Sequence, residues 1–305
     1  MGAQQPGVRS RVHDQRGQPS ACLRAQERRG QMTDRKKRRP SNGKAGTLVI
    51  IGGHEDHDGD RVILKEVASL VPNGRLVLAT IASHEPDGYL EKYQKSFGEL
   101  GIKEVVELYV NDRLEAAHEK KISALANVSA VFFSGGDQLR ITSQIGDTPI
   151  DERVHEIYEA GGIIAGTSAG ASVMSDTMMV KGPNAASFRI GHIRMAPGLG
   201  LLPNVIIDQH FAERGRIGRL IGAVSQNPRV LGIGIDEDTA IVVNGEMFKV
   251  IGSGAVYLVD AAGVTHSNIA EGEPDAALSI HDLRVHVLSS GDAFDLAMRR
   301  PVGVP

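Results

Sequence analysis

The chain has 305 residues, with 34 Lys+Arg against 37 Asp+Glu and one cysteine. The charge is unevenly divided: residues 1–46 hold 12 basic and 3 acidic side chains, and residues 47–305 hold 22 and 34. An acidic body argues against nucleic acid as its partner, because phosphate neutralisation needs a Lys and Arg surplus. A lone Cys22 in the basic tail excludes an intrachain disulfide framework and a thiolate zinc cluster, and leaves Ser, Thr, Lys or a carboxylate as any nucleophile of the body.

Residues 1–46 are rich in Arg, Gln, Gly, Ser and Pro and lack apolar periodicity, so a disordered, solvated tail is expected. The run Arg35-Lys36-Lys37-Arg38-Arg39 is the one stretch suited to an acidic surface or nucleic acid. Met32 offers a second start, which would make the first 31 residues an extension. No apolar stretch follows the basic residues, so no secretory signal is expected, and no apolar run approaches the ~20 residues that span a bilayer. A cytoplasmic location fits these features.

At Gly46 the texture changes. Thr47–Ile51 reads as a buried strand ending in Gly52-Gly53, and residues 59–70 read as an amphipathic helix. The alternation continues with strands over 75–81, 104–110, 130–133 and 162–165, and helices over 86–100, 113–125 and 150–160. This pattern predicts an α/β body over 47–305, a single domain with a mostly parallel sheet covered by helices on both faces. The last third holds short strands near 205–207, 229–235, 240–243, 248–251, 256–259 and 284–288, with an Asn244-Gly245 hairpin signal. These are expected to add antiparallel strands at one edge.

The sharpest chemical motif is Gly166-Thr167-Ser168-Ala169-Gly170, between an apolar strand and a helix start. That is the setting of a nucleophile elbow, with Ser168 exposed to attack and the Ala169 N–H placed to bind an oxyanion. A nucleophilic serine needs a base and an orienting acid. His210 follows the strand Val205–Ile207, and Glu237 follows the strand ending at Ile235, so both sit at strand ends, where ligands of α/β sheets collect. The order Ser, His, acid differs from that of α/β-hydrolases; Ser168 with Asp260 and His286 would restore it and stays open as an alternative. Ser134-Gly135-Gly136-Asp137-Gln138 is a second Gly-rich strand end, whose N–H groups near Gly136 can complete an oxyanion hole while Gln138 reaches substrate. Arg214, Arg216 and Arg219 follow the proposed base on an expected helix over 211–225 and suit carboxylate recognition. The acidic loop His54–Asp60 matches no standard metal-loop spacing, and Gly52-Gly53 lacks the dinucleotide pattern. No metal and no cofactor are expected.

Taken together, these segments resemble the cyanophycinase family of serine peptidases. The resemblance rests on Ile51-Gly52-Gly53 with Glu55-Asp56, on Ser134–Gln138 and on Gly166–Ala171. It continues in Asp208-Gln209-His210-Phe211 with the three arginines, and in Gly234–Ala240. The Gly-Gly-Asp-Gln and Gly-Thr-Ser-Ala-Gly pieces are shared with aspartyl dipeptidases. The resemblance implies a class I glutamine amidotransferase-like fold with Ser in place of Cys at the elbow. It implies Ser168, His210 and Glu237 as nucleophile, base and acid, with Gln138, Asp208, Gln209, Arg214, Arg216 and Arg219 as pocket residues. It further implies a metal-free homodimer that releases β-Asp-Arg dipeptides from cyanophycin, a poly-aspartate carrying arginine on its side-chain carboxyls. The competing readings are a dipeptidase for α-linked aspartyl peptides and a non-catalytic binding module of the same fold.

A chain beginning at Gly46 is expected to fold and to retain catalysis, since the first buried strand begins at Thr47. Circular dichroism and turnover of the shortened protein test this; insolubility or lost turnover would show that the tail docks on the body.

Overall fold

Runs of β-branched and aliphatic residues at regular spacing become the centre of one large sheet. In the computed structural model, residues 45–71, 74–182 and 188–303 are described. The basic tail and Cys22 lie outside them. Residues Gly43–Pro305 form a compact unit of their own.

Strands β1 (Thr47–Ile51), β2 (Arg75–Ala79), β3 (Glu104–Leu108), β4 (Ala130–Phe133) and β5 (Ile163–Thr167) lie in the order β3-β2-β4-β5-β1, all parallel. Parallel strands need helical crossovers, so both faces are covered and the strands read as continuous apolar runs. Leu48 and Ile50 face one side with Val77, Val131, Phe133 and Ile164. Val49 and Ile51 face the other with Leu76, Leu78, Phe132 and Ala165.

The second of these faces packs on helices α1 (Val62–Leu70) and α2 (Tyr89–Glu99) through Ile63, Leu64, Val67, Tyr93 and Phe97. The helix expected to begin near 59 begins at Val62. Asp56 explains the delay: its carboxylate accepts from the backbone N–H groups of Asp58, Gly59 and Arg61 and closes the preceding residues into a loop. A helix over 113–125 gives way to a 3₁₀ turn at Glu115–Ala117 and a short α3 (Glu119–Ser123), broken by the extended backbone of His118. The other face packs on α4 (Gln138–Ile145) and α5 (Pro149–Glu159). α4 is absent from the sequence reading; Asp137 caps it by accepting from the Leu139 N–H at 2.8 Å.

After β5 come a one-turn helix α6 (Ala169–Ser172), an antiparallel pair β6 (Thr177–Lys181) and β7 (Arg194–Pro197), and then β8 (Val205–Gln209). Helix α7 (Ile217–Gln226) begins later than expected, because residues 212–215 form turns. It leads to β9 (Leu231–Ile235), β10 (Thr239–Asn244), β11 (Met247–Gly252) and β12 (Val256–Asp260). The minor pair β13 (His266–Ser267) and β14 (Ile280–His281) precedes β15 (Arg284–Leu288), β16 (Ala293–Asp295) and β17 (Arg300–Val302).

Antiparallel strands do extend one edge: β10, β11, β16 and β17 continue the main sheet beyond β1 to nine strands. The remaining strands build a second sheet, β15-β12-β9-β8, in which β8 and β9 are parallel. One face of this sheet, with Ile207, Ile233, Ile235 and Leu258, joins the core under the main sheet. Its other face packs Ile206 and Val259 on Leu220, Ala223 and Val224 of α7. Among the described residues, no helix is long and apolar enough to cross a membrane.

Phe132 is fully buried, with ring centroids 5.0 Å from Tyr93 and 5.8 Å from Phe97. Phe132→Ala is expected to lower stability by about 3–5 kcal/mol, the usual cost of an aromatic cavity. Urea denaturation measures it; a loss under about 1 kcal/mol would mean that the cluster collapses into the space.

Candidate active site

The site is assembled on the end of β1. Three successive carbonyls there each accept one backbone N–H from another segment. Ile51 O accepts from Ser168 N at 3.0 Å, Gly52 O from His210 N at 2.8 Å, and Gly53 O from Asp238 N at 2.8 Å. The ends of β5, β8 and β9 are thereby drawn to one point. Ser168, His210 and Asp238 all hold left-handed backbone, with φ of 53°, 48° and 45°. Such conformations are costly for these residue types and persist only where surrounding structure imposes them. Two glycines make room. A Cβ on Gly53 would lie 2.3 Å from the His210 ring, and one on Gly170 would lie 2.2 Å from the Phe133 carbonyl oxygen.

Side chains then line up across the strand ends. Ser168 Oγ lies 2.8 Å from His210 Nε2, and His210 Nδ1 lies 2.6 Å from Glu237 Oε1. Ser168 is half-buried, His210 is buried and Glu237 is partly open to solvent. The other pair considered for Ser168 lies in different company: Asp260 accepts from Arg299 at 2.8 Å, and His286 packs edge-on to Phe294.

The acids beside Glu237 hold loops. Asp236 accepts from the backbone N–H groups of Ala212 and Ala255, and Asp238 from the Asp56 N–H and the Ser253 hydroxyl. Glu237 alone of the three turns to imidazoles. Its second oxygen, Oε2, lies 2.8 Å from Nδ1 of the exposed His54. His54, His210 and Glu237 place one potential metal-ligand atom each within 4.8 Å of one another.

Burial pushes the His210 pKa down most; the Glu237 hydrogen bond opposes this, the Arg214 charge adds to it, and the net value lies below the ordinary 6.5. Burial pushes Glu237 up, but hydrogen bonds from His210 and His54 outweigh it and its pKa falls below the usual range. Near neutral pH the pair is therefore free imidazole beside ionised carboxylate.

Beneath Ser168 lies a buried network absent from the sequence reading. Thr167 donates to Glu55 Oε2 at 2.5 Å, and the buried Tyr93 hydroxyl donates to Glu55 Oε1. His57 Nε2 stands 3.5 Å from the same oxygen, with Nδ1 2.9 Å from Ser96 Oγ. Burial opposes ionisation of Glu55, yet hydrogen bonds from His57, Thr167 and Tyr93 hold its pKa below the usual value. Burial keeps Tyr93 protonated. A fixed carboxylate thus ties the residue before Ser168 to α2.

The polar residues after β8 fall into two groups. Asp208 is buried and receives a forked pair of hydrogen bonds from Arg219. Arg216, also buried, donates to Asp208 Oδ1 at 3.2 Å and to Gln209 Oε1 at 2.8 Å. Gln209 reaches Ser172 Oγ at 3.5 Å. Arg214 by contrast is exposed, and its charge is felt at His210. Gln138 donates to the Met179 carbonyl at 2.8 Å. Gly135 lies against Ser168, with its would-be Cβ 3.5 Å from the Ser168 Cβ; Gly136, with φ of 141°, crosses over the Ala82 carbonyl. Ala169 opens α6 directly after Ser168.

A serine at a strand-to-helix elbow of a parallel α/β sheet, beside histidine and carboxylate, is the layout of a serine-type hydrolase. Residues 48–251 match Peptidase family S51, and the chain belongs to that family. It is 38% identical over 259 residues to a cyanophycinase of Synechococcus elongatus, covering 84% of this chain and 80% of the relative. A cyanophycinase of Trichormus variabilis is 39% identical over 266 residues, covering 86% and 89%. A crystal structure of a peptidase from an acI-B1 Actinobacterium shares the fold, with a TM-score of 0.62 at 21% identity over 83% of this chain and 97% of that one.

The acid limb of kcat/KM reports the base of the free enzyme. With His210 in that role, protonation would remove the lone pair that accepts the serine proton, and its lowered pKa would delay that loss to lower pH. A pH–rate profile is therefore expected to show an acid limb centred below 6.5; a limb centred above it would contradict the burial of His210.

Proposed function

We propose that this chain is a serine exopeptidase that hydrolyses cyanophycin to β-Asp-Arg dipeptides through an acyl-enzyme. The observation that carries the mechanism is the line of contacts Glu237–His210–Ser168, at 2.6 and 2.8 Å. In this reading His210 Nε2 takes the proton from Ser168 Oγ as the oxygen attacks the backbone carbonyl. Glu237 holds the Nδ1–H tautomer and stabilises the imidazolium. The N–H groups of Ala169 and Gly136 receive the oxyanion. His210 then protonates the leaving amine, and water attacks the ester with His210 again as base.

The substrate follows from the family and from charge. Each cyanophycin unit carries a guanidinium and a carboxylate, and the body has 34 acidic against 22 basic side chains. Asp208, Gln209, Arg216 and Arg219 form a cross-braced wall, and Gln138 is the first residue of α4. Arg214 is the cation left to meet a substrate carboxylate. Homodimer formation belongs to the proposal on the family resemblance alone, and a cytoplasmic location on the lone cysteine and the lack of an apolar signal stretch.

Ser168→Ala is expected to abolish release of dipeptides from purified cyanophycin while leaving the fold unchanged, the loss being several orders of magnitude. Mass analysis of products decides between readings: β-Asp-Arg supports the proposal, whereas turnover confined to α-linked aspartyl dipeptides would make the chain a dipeptidase. An active Ser168→Ala protein would overturn the mechanism.

The arginines are expected to separate by role. Arg214→Gln should lower kcat/KM by roughly five- to thirtyfold, about 1–2 kcal/mol, with melting temperature retained. It should also move the acid limb upward, since the Arg214 charge depresses the His210 pKa. Arg219→Gln leaves Asp208 short of its forked partner and is expected to cost about 3–5 kcal/mol of stability. Kinetics and thermal melts of the two variants test this; equal melting temperatures would refute it.

A further inference from the structure

Glu237 has two imidazole neighbours where an orienting carboxylate requires one. Oε1 faces His210 Nδ1 at 2.6 Å and Oε2 faces His54 Nδ1 at 2.8 Å. The two rings meet edge to face, with centroids 5.0 Å apart. His54 is the solvent-side member, its side chain 70% exposed. Two imidazoles and a carboxylate are a ligand set that zinc accepts, with a fourth position left to water.

We propose that His54, Glu237 and His210 form an inhibitory site for a divalent transition-metal ion of the zinc type. The proposal rests on the reading of His210 as the base. The three ligand atoms lie within 4.8 Å of one another. Zinc bonds of ~2.0–2.2 Å set tetrahedral ligands roughly 3.4 Å apart, so the 2.6 and 2.8 Å contacts must widen, and the atoms up to 4.8 Å apart must close, as the ion enters. The exposed His54 can swing to allow it.

Inhibition follows from proton counting. A neutral imidazole carries one proton on one of its two nitrogens. In the resting site the Nδ1–H of His210 points at Glu237, which leaves Nε2 open to accept from Ser168. An ion on Nδ1 needs that lone pair, so the ring proton moves to Nε2. The histidine remains neutral, no proton is gained or lost, and Nε2 can no longer take the serine proton. Glu237 is drawn to the ion at the same time. The resting enzyme needs no metal, so a chelator alone should leave its rate unchanged and should restore the rate of a zinc-treated sample.

The discriminating residue is His54, because a serine–histidine–acid line lacking it offers only two ligands. Zn²⁺ alone is titrated into wild type and His54→Ala during turnover of a soluble β-Asp-Arg oligomer, each rate referred to that protein's own zinc-free rate. The half-inhibitory concentration is expected to rise at least about tenfold in His54→Ala, the lower end of what losing even an outer-shell partner costs a metal site. Calorimetric titration of Ser168→Ala and Ser168→Ala/His54→Ala needs no turnover, so it stays informative if the peptidase reading fails. The second protein should bind one zinc fewer. The His266–His281 ring pair, 4.7 Å apart, is common to both and cancels in the difference. Equal zinc sensitivity of wild type and His54→Ala, equal stoichiometry in the calorimeter, or a wild type that keeps its rate until zinc precipitates the protein would each overturn the proposal.

Discussion

The C-terminal end of β1 is the point on which the rest of the site depends. Its last carbonyl and those of the two glycines after it accept the backbone N–H groups of Ser168, His210 and Asp238. Each donor comes from a different strand end, and two of them, His210 after β8 and Asp238 after β9, from the second sheet. A displacement of β1 would therefore move all three together. The left-handed backbone at these residues is maintained by this comb of hydrogen bonds and by the crowding around Gly53 and Gly170. Strain of this kind is affordable where packing on both sides of the sheet fixes the frame first.

Buried polar groups add a second layer of fixation. Glu55 joins the elbow to α2, Asp236 and Asp238 tie the loops around Glu237, and Asp208 locks Arg216 and Arg219. Each of these carboxylates accepts from several donors, which offsets the cost of taking its oxygens out of water. The proposed catalytic line is itself closely held: His210 is buried with its ring against Gly53, and Glu237 also meets His54. Groups fixed in advance of reaction are what preorganisation requires.

Much of the fold was legible in the chain. The parallel strands are short apolar runs punctuated by glycine, and their spacing leaves room for little besides a crossover helix. The strand ends carrying Ser168, His210 and Glu237 were readable for the same reason. What escaped depended on long-range pairing. α4 has a capping Asp137 but follows a Gly-rich turn that reads as loop. β8 and β9 have the composition of main-sheet strands, and only their neighbours place them in a second sheet. The roles of Arg214, Arg216 and Arg219 were indistinguishable by spacing, because what separates them is burial against Asp208. Glu55 and His54 lie in the acidic loop after β1, yet their partners are residues far along the chain, Thr167 and Glu237, which no local pattern connects.

The comb at the end of β1 grips main chain only. Its three acceptors are carbonyls and its three donors are amides, so although Gly52 and Gly53 leave no room for a side chain, no bond of the comb runs through a side-chain atom of the donor residues. Exchange of the side-chain atom at position 168, for instance sulfur for oxygen, would leave the mount untouched and alter only the proposed chemistry. A scaffold of this kind separates the history of its architecture from the history of its reactivity, and lets descendants diverge in the second while the first stands still.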